Sequence, residues 1–340
     1  MKESRVIPGL IFICVFCLFN GQSVFSQTTC TKEEAYQTVG KWTKQKVDDL
    51  AMADNSFPKE QYKPVLAKAQ KVIELLKLAN PELIGVDAAA KRMIRGDSYF
   101  PNGALKFGIN GGFKSYFCFP NSNQYAEERR GKILPSSESG AVINFYFNDF
   151  GWALEAIEDQ GKFLTANDEA LFYAPKKSGD LQGMPVFELK TGSTFGKKEA
   201  IFISPNNRLP YKPVSREQFI QSRIKYYREF YRVLERSNFQ PIIAELNTML
   251  ANMSPSDRQI QAIVSNPFEK GDRLFVTEAK GGKPVVAVDK EFFDAKLPRP
   301  AIQFMIVYLD WDEKNPAVFA AMRQFKQNFD LAALKQMLGK

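Results

Sequence analysis

Carboxylates are the residues of this chain whose type and spacing could do chemistry. Asp149, Glu155, Glu158 and Asp159 flank Trp152, just beyond an aromatic and β-branched run at 141–148 (AVINFYFN). Glycoside hydrolysis needs only two carboxyl groups, about 5–5.5 Å apart for retention or about 6.5–9.5 Å apart for inversion. Asp149, Glu155 and Glu158 are therefore candidates for an acidic cleft. The same spacing of Glu155 and Glu158 also suits one solvated helix face. Histidine is absent from all 340 residues. That excludes Ser-His-Asp and Cys-His catalysis, histidine zinc ligands and the usual proton shuttle near neutral pH. Any enzyme here relies on Asp, Glu, Lys, Tyr or Ser, and the balance moves toward a non-enzymatic protein.

The strongest basic feature lies on the helical stretch within 208–250. Residues 206–236 carry eight Lys or Arg and three Glu, a local net of +5. At about 100° per residue, Lys225, Arg228, Arg232 and Arg236 form a narrow stripe. Opposite it, Phe219, Ile220, Ile224, Tyr226, Tyr227, Phe230, Tyr231, Val233 and Leu234 cover about half the circumference, wider than a surface helix needs. The stripe is a candidate for binding an acidic polymer, phosphate or an anionic surface. Glu217, Glu229 and Glu235 lie close to it in sequence, and a solvated edge of a packed helix accounts for it equally well.

Three other motifs fall short. Residues 192–198 (GSTFGKK) have three residues between the glycines where a phosphate loop has four, and Lys198 stands where Ser or Thr is required. Asp310, Asp312 and Glu313 follow a strand, but the loop lacks the glycine and distal Glu of a calcium hand, and Asn315 is better used capping a helix at Pro316. No metal or cofactor is expected. Arg95-Gly96-Asp97 matches an adhesion tripeptide that a turn explains. Nucleic-acid binding is not expected, since no recognition motif is present and Phe (29) far exceeds Tyr (12) and Trp (3). Phe lacks a polar handle, which assigns most of that excess to a core.

The first residues set the compartment. Lys2 and Arg5 precede an apolar run at 6–19, Asn20-Gly21 breaks it, and Val24 and Ser26 sit at the −3 and −1 positions of a cleavage site. This pattern reads as a secretory signal peptide ending at Ser26, giving a secreted or periplasmic protein. The run is shorter than the ~20 residues that span a bilayer, and no later segment is long and apolar enough to do so. Removing residues 1–26 takes two positive charges and one negative, so the net charge falls from +8 to +7. Cys14 and Cys17 leave with the signal. Cys30 and Cys118 remain, as a disulfide or as two buried thiols.

The elements follow from periodicity and punctuation. Thr31 with Glu34 makes a capping box before Ala35, Val39, Trp42 and Leu50 at helical spacing. A second helix from Pro64 carries Val65, Ala69, Val72, Ile73 and Leu76 and stops at Asn80-Pro81. A third, short helix is expected over 87–94. Residues 105–119 read as a β-hairpin turning at Asn110-Gly111-Gly112. Strands are expected at 141–148, 162–165, 185–190 and 200–204, with polar loops at 135–140 and 176–183. Ser215 with Gln218 caps the long helix, and helices at 241–253 and after Ser254-Pro255 follow. Further strands are expected at 273–277, 284–288 and 301–309, with final helices from Pro316 and over 331–338.

The segment 209–216 (LPYKPVSR) leading into a helix, then 290–294 (KEFFD) and Leu297-Pro298, resembles a pattern of uncharacterised exported bacterial proteins. It spans roughly the last 130 residues. The resemblance implies a bacterial envelope setting, and no catalytic role comes with it.

Together these give an α+β protein with an N-terminal helical hairpin, a central, largely antiparallel sheet, and C-terminal helices with a further small sheet. The divisions are a signal peptide at 1–26, a region 27–205, and a region 206–340 organised on the long helix. The expected function is non-enzymatic binding or scaffolding of an envelope component or glycan; a hydrolase using an Asp/Glu pair is the alternative. N-terminal sequencing of the exported protein should begin at Gln27; a chain beginning at Met1 would remove the signal-peptide reading.

Overall fold

The computed structural model describes residues 30–43, 60, 62–94, 103–137, 140–157, 170–189, 196–234, 239–269 and 271–340. The signal segment 1–26, the strand expected at 162–165, Arg95-Gly96-Asp97 and residues 192–195 lie outside them. The helices are α1 Lys32–Gln37, α2 Tyr62–Ala79, α3 Arg216–Leu234, α4 Gln240–Asn252, α5 Pro255–Gln259, α6 Pro316–Asn328 and α7 Leu331–Lys335. In the first half the strands are β1 Trp42–Thr43, β2 Val86–Ile94, β3 Phe107–Phe119, β4 Lys132–Pro135, β5 Ala141–Phe147, β6 Glu155–Ala156 and β7 Leu171–Tyr173. The rest are β8 Lys176–Leu181, β9 Met184–Glu188, β10 Lys197–Ile203, β11 Tyr211–Pro213, β12 Ile263–Val264, β13 Lys283–Val288 and β14 Met305–Trp311.

These make a mixed α+β fold of two sheets. The larger runs β1-β2-β3-β5-β14-β10-β9-β8, with β4 also on β3; the smaller runs β11-β13-β7-β6, with β12 on β13. Among the described residues, all ladders are antiparallel except β1 on β2. Side-chain alternation then sorts the core into three slabs. On β14, Met305, Val307, Leu309 and Trp311 join the slab under α2, α6 and α7, while Ile306 and Tyr308 enter the slab between the sheets. On β13, Val286 and Val288 face that inter-sheet slab, and Val285 joins Phe219, Ile220, Ile224, Ile243 and Leu246 beneath α3 and α4. The order of layers is helix, sheet, sheet, helix. Ten phenylalanines are among the largest fully buried side chains, Phe145, Phe147, Phe202 and Phe304 included, each stabilising by ~1.5–3 kcal/mol relative to exposure.

The capping signals form as their chemistry requires. The Thr31 and Ser215 hydroxyls accept from the Glu34 and Gln218 amides, and the Glu34 and Gln218 side chains accept from the Thr31 and Ser215 amides in return. Ser254 and Asn315 cap α5 and α6, each with Pro in the first turn.

Several expectations are corrected. The helix expected at 87–94 is strand β2, because its alternate residues Val86, Ala88 and Ile94 bury against the helical slab and override the helix propensity of its alanines. The hairpin expected at Asn110-Gly111-Gly112 is absent; β3 runs straight through, paired with β2 on one side and β5 on the other. Its glycines mark close backbone approach instead of a turn: a Cβ at Gly112 would lie 2.3 Å from the Ala141 carbonyl oxygen. The polar stretch 176–183 is a strand and a turn. Gln182 (φ 49°) and Gly183 (φ 77°) supply the two left-handed residues of a tight hairpin between β8 and β9. Gln182 tolerates this because its amide is held, donating to the Phe329 carbonyl at 2.8 Å and accepting from the Leu331 amide at 3.1 Å. Residues 273–277 form no strand, with single 3-10 turns at Gly271–Arg273 and Glu278–Lys280 on either side.

Of the N-terminal helical hairpin, the structure describes the six-residue α1 and the 18-residue α2. Val39 bridges Ile84 and Trp42 belongs to β1, so the helical spacing from Ala35 does not continue through them; Leu50 lies outside the described residues. Residue 205 falls between β10 and β11, and the chain crosses that point more than once: β14 lies between β5 and β10, and β13 pairs with β7.

Cys30 and Cys118 form a disulfide, Cα atoms 5.5 Å apart, joining the start of α1 to the far end of β3 over a separation of 88 residues. A loop of that length corresponds to about 4–5 kcal/mol in the chain-entropy account. The Cys30→Ser/Cys118→Ser variant should lose stability of about that order in denaturant unfolding, with wild type matching it under reductant. A wild-type midpoint indifferent to reductant would count against it.

Candidate functional site

A cavity of about 260 Å³ opens where the end of the large sheet meets α6. Leu181 of β8, Lys197 of β10 and Trp311 of β14 supply the sheet side, and Phe319, Met322, Arg323, Lys326 and Gln327 line it from the helix. The helical residues recur at three and four, so they share one face, held in phase by the Asn315 cap, whose Oδ1 accepts from the Val318 amide at 3.2 Å. On the sheet, Lys197 stands directly opposite Trp311 in the β10–β14 register.

Two lysines flank the indole. Lys326 Nζ lies 4.4 Å from the ring centroid and Lys197 Nζ 5.6 Å. Both reach one buried carboxylate: Glu199 Oε1 is 3.4 Å from Lys197, and Oε2 accepts from Lys326. Glu313, on the rim, adds a contact of 3.7 Å to Lys197. Burial works to depress the Lys197 ammonium, but Glu199 and Glu313 outweigh it and hold its pKa above the usual lysine value. Trp311 is only 3 % exposed and its indole Nε1 has no hydrogen-bond partner among the described residues. Arg323 is exposed and forms no ion pair with a described carboxylate. Leu181, Phe319, Met322 and the indole make the walls apolar. The site can receive a small molecule with an apolar body and a hydrogen-bonding head.

The acidic residues read from sequence do not converge here. Asp149 is buried, and its Oδ1 accepts from the Gly151 amide at 3.1 Å. Glu155, on β6, is engaged by Lys283 Nζ at 2.6 Å, which also sits 4.2 Å from the Tyr173 ring centroid. Glu158 lies outside the described residues. Trp152 is 61 % exposed and meets the Tyr308 ring edge-on at 5.6 Å. Behind it runs a polar row on the inter-sheet face. Asn110 donates to Asn144 at 3.0 Å, Asn144 donates to the Tyr146 hydroxyl at 3.0 Å, and Tyr308 donates to Asp310 at 3.3 Å. Lys198 closes the row, 3.9 Å from Asp310.

Of the basic stripe, Lys225 is half-buried and Arg228 exposed; the Arg232 side chain and Arg236 lie outside the described residues. Arg223, outside the stripe, is buried, its guanidinium over the rings of Tyr227 (4.8 Å) and Phe268 (5.2 Å). Sequence reasoning missed the cavity because Leu181 and Lys197 lie more than a hundred residues before Trp311 and the helix that faces them. The 3.6-period of Phe319, Met322 and Lys326 marks a helix face without revealing what opposes it.

Among the described residues, four tyrosines have pKa values raised chiefly by burial: Tyr116, helped by its hydrogen bond to Asp87, and Tyr173, beside Glu155, are pushed up to about 12, and Tyr211 and Tyr308 rise as well. Unfolded tyrosine ionises near 10. The stability these phenols contribute is therefore intact below about pH 10 and is lost as pH rises through about 12. Ultraviolet titration should show late-ionising tyrosines, with unfolding free energy falling across that window; titration of every tyrosine near 10 in the folded protein would contradict this.

Compared with protein-family models, with curated proteins and with solved structures, the chain matches none.

Proposed function

We propose that this is an exported, non-enzymatic binding protein that takes a small ligand in the cavity beside Trp311. Export rests on the signal-like segment 1–26. Binding rests on one observation above others: an opening walled by Leu181, Phe319, Met322 and the Trp311 ring, with charged side chains in the same lining. The volume lies just under the range of about 300–1,000 Å³ usual for drug-sized ligands, which favours a small molecule over a polymer. The hydrolase alternative needs two carboxyl groups facing one substrate; Asp149 and Glu155 are each engaged by other groups.

A second reading has its own support. Trp152, exposed beside the amide and phenol row, suits stacking against a polyhydroxylated ligand such as an envelope glycan. Trp152→Ala should weaken glycan binding and leave the cavity untouched.

Gln327 is exposed on the cavity rim, so Gln327→Trp should block entry without disturbing the core. In a thermal-shift screen of small amphipathic molecules, hits on the wild type should disappear in Gln327→Trp while the unliganded midpoint stays within about 1–2 °C. Hits that persist unchanged would move the binding site elsewhere.

A further inference from the structure

We infer that the cavity beside Trp311 selects a monoanionic carboxylic acid with a short apolar body, anchored by Arg323. This rests on the proposal that the cavity is a binding site, and it specifies what the site takes.

Charge bookkeeping at the cavity supports a single negative charge. Among the described residues, Lys197, Arg323 and Lys326 bring three cations; Glu199 and Glu313 bring two carboxylates. Both carboxylates are used on the lysines: Glu199 bridges Lys197 and Lys326, and Glu313 reaches Lys197. The remaining positive charge is on Arg323, which has no ion pair with a described carboxylate. A monoanion brings the cluster to neutrality, whereas a dianion such as a phosphate monoester would leave an excess negative charge beside Glu199 and Glu313.

Donor chemistry narrows the head group. A guanidinium presents a planar fork that matches a carboxylate with two parallel hydrogen bonds. The Trp311 indole lines the same cavity, so its N–H resonance reports on what occupies it. The lysines are less available, since each is held at Glu199 and lies near the face of the indole. The body of the ligand follows from the walls. Leu181, Phe319, Met322 and the Trp311 ring are apolar, and Phe319 is 42 % exposed, leaving apolar area for a ligand to cover. The volume limits that body to a ring or a short chain.

The test uses the mature full-length protein with phenylacetate and hexanoate as probes, phenylacetamide as the uncharged isostere, and inorganic phosphate. Affinity is read by titration, and location by the Trp311 indole N–H resonance, assigned with Trp311→Phe. The carboxylates should shift that resonance and bind roughly ten-fold or more tightly than the amide, the scale of a charge-assisted hydrogen-bond pair. Arg323→Gln should erase that preference while phenylacetamide still binds. Equal affinity for amide and acid, or phosphate binding as tightly as the acids, would overturn the carboxylate inference and leave the binding site standing. If no probe moves the Trp311 resonance, the cavity reading itself falls.

Discussion

Burial of the large sheet on both faces is the constraint on which the rest of this structure depends. A sheet covered on one side reads as alternating apolar and polar residues. Here β5, β10 and β14 must be apolar on both, because α2 and α6 cover one face and the small sheet covers the other. The runs AVINFYF, AIFI and MIVYL are the sequence consequence. The Trp311 indole N–H apart, polar groups admitted to those strands are partnered. Along the inter-sheet face Asn144 bonds to Asn110 and Tyr146, and Tyr308 to Asp310; at the helical face Glu199 finds two lysines. The cavity lies at the C-terminal end of β14, where Trp311 meets α6.

The small sheet shows the same logic one layer out. Val286 and Val288 of β13 point toward the large sheet, and Val285 points toward α3. The LPYKPVSR segment connects these levels: Tyr211–Pro213 is strand β11 on β13, Val214 is buried, and Ser215 caps α3. Its prolines suit an edge strand, where a missing amide costs no ladder bond. The long helix is therefore an outer layer clamped between a sheet and α4. Its breadth of apolar surface reflects those two neighbours.

Much of this was legible in the sequence, for physical reasons that separate success from failure. Caps and stops are local chemistry, and Thr31, Ser215, Ser254, Asn315 and Asn80-Pro81 act where their types say they should. Strands rich in Phe, Ile and Val were visible as well. What failed was context. Gly111-Gly112 offers a turn to local reasoning and a place for close strands to the tertiary fold, and the sheet decided. The alanines of β2 favour a helix until alternate burial is known, and the lysines of β8 hide an edge strand that water and charge protect. The cavity escaped entirely, since its residues come from four elements whose adjacency is a property of strand order.

That strand order carries a consequence for how the molecule comes to exist. β14 sits between β5 and β10 yet is made more than a hundred residues after either. Until it emerges, the large sheet is two separate ribbons, each with an inner edge, β5 or β10, open to pairing. Closure must wait for almost the whole chain, so folding is governed by distant contacts and is slow relative to helical proteins of this size. During that wait, the chain's excess of positive charge, which keeps like molecules apart, is its main protection against joining a neighbour's edge instead of its own.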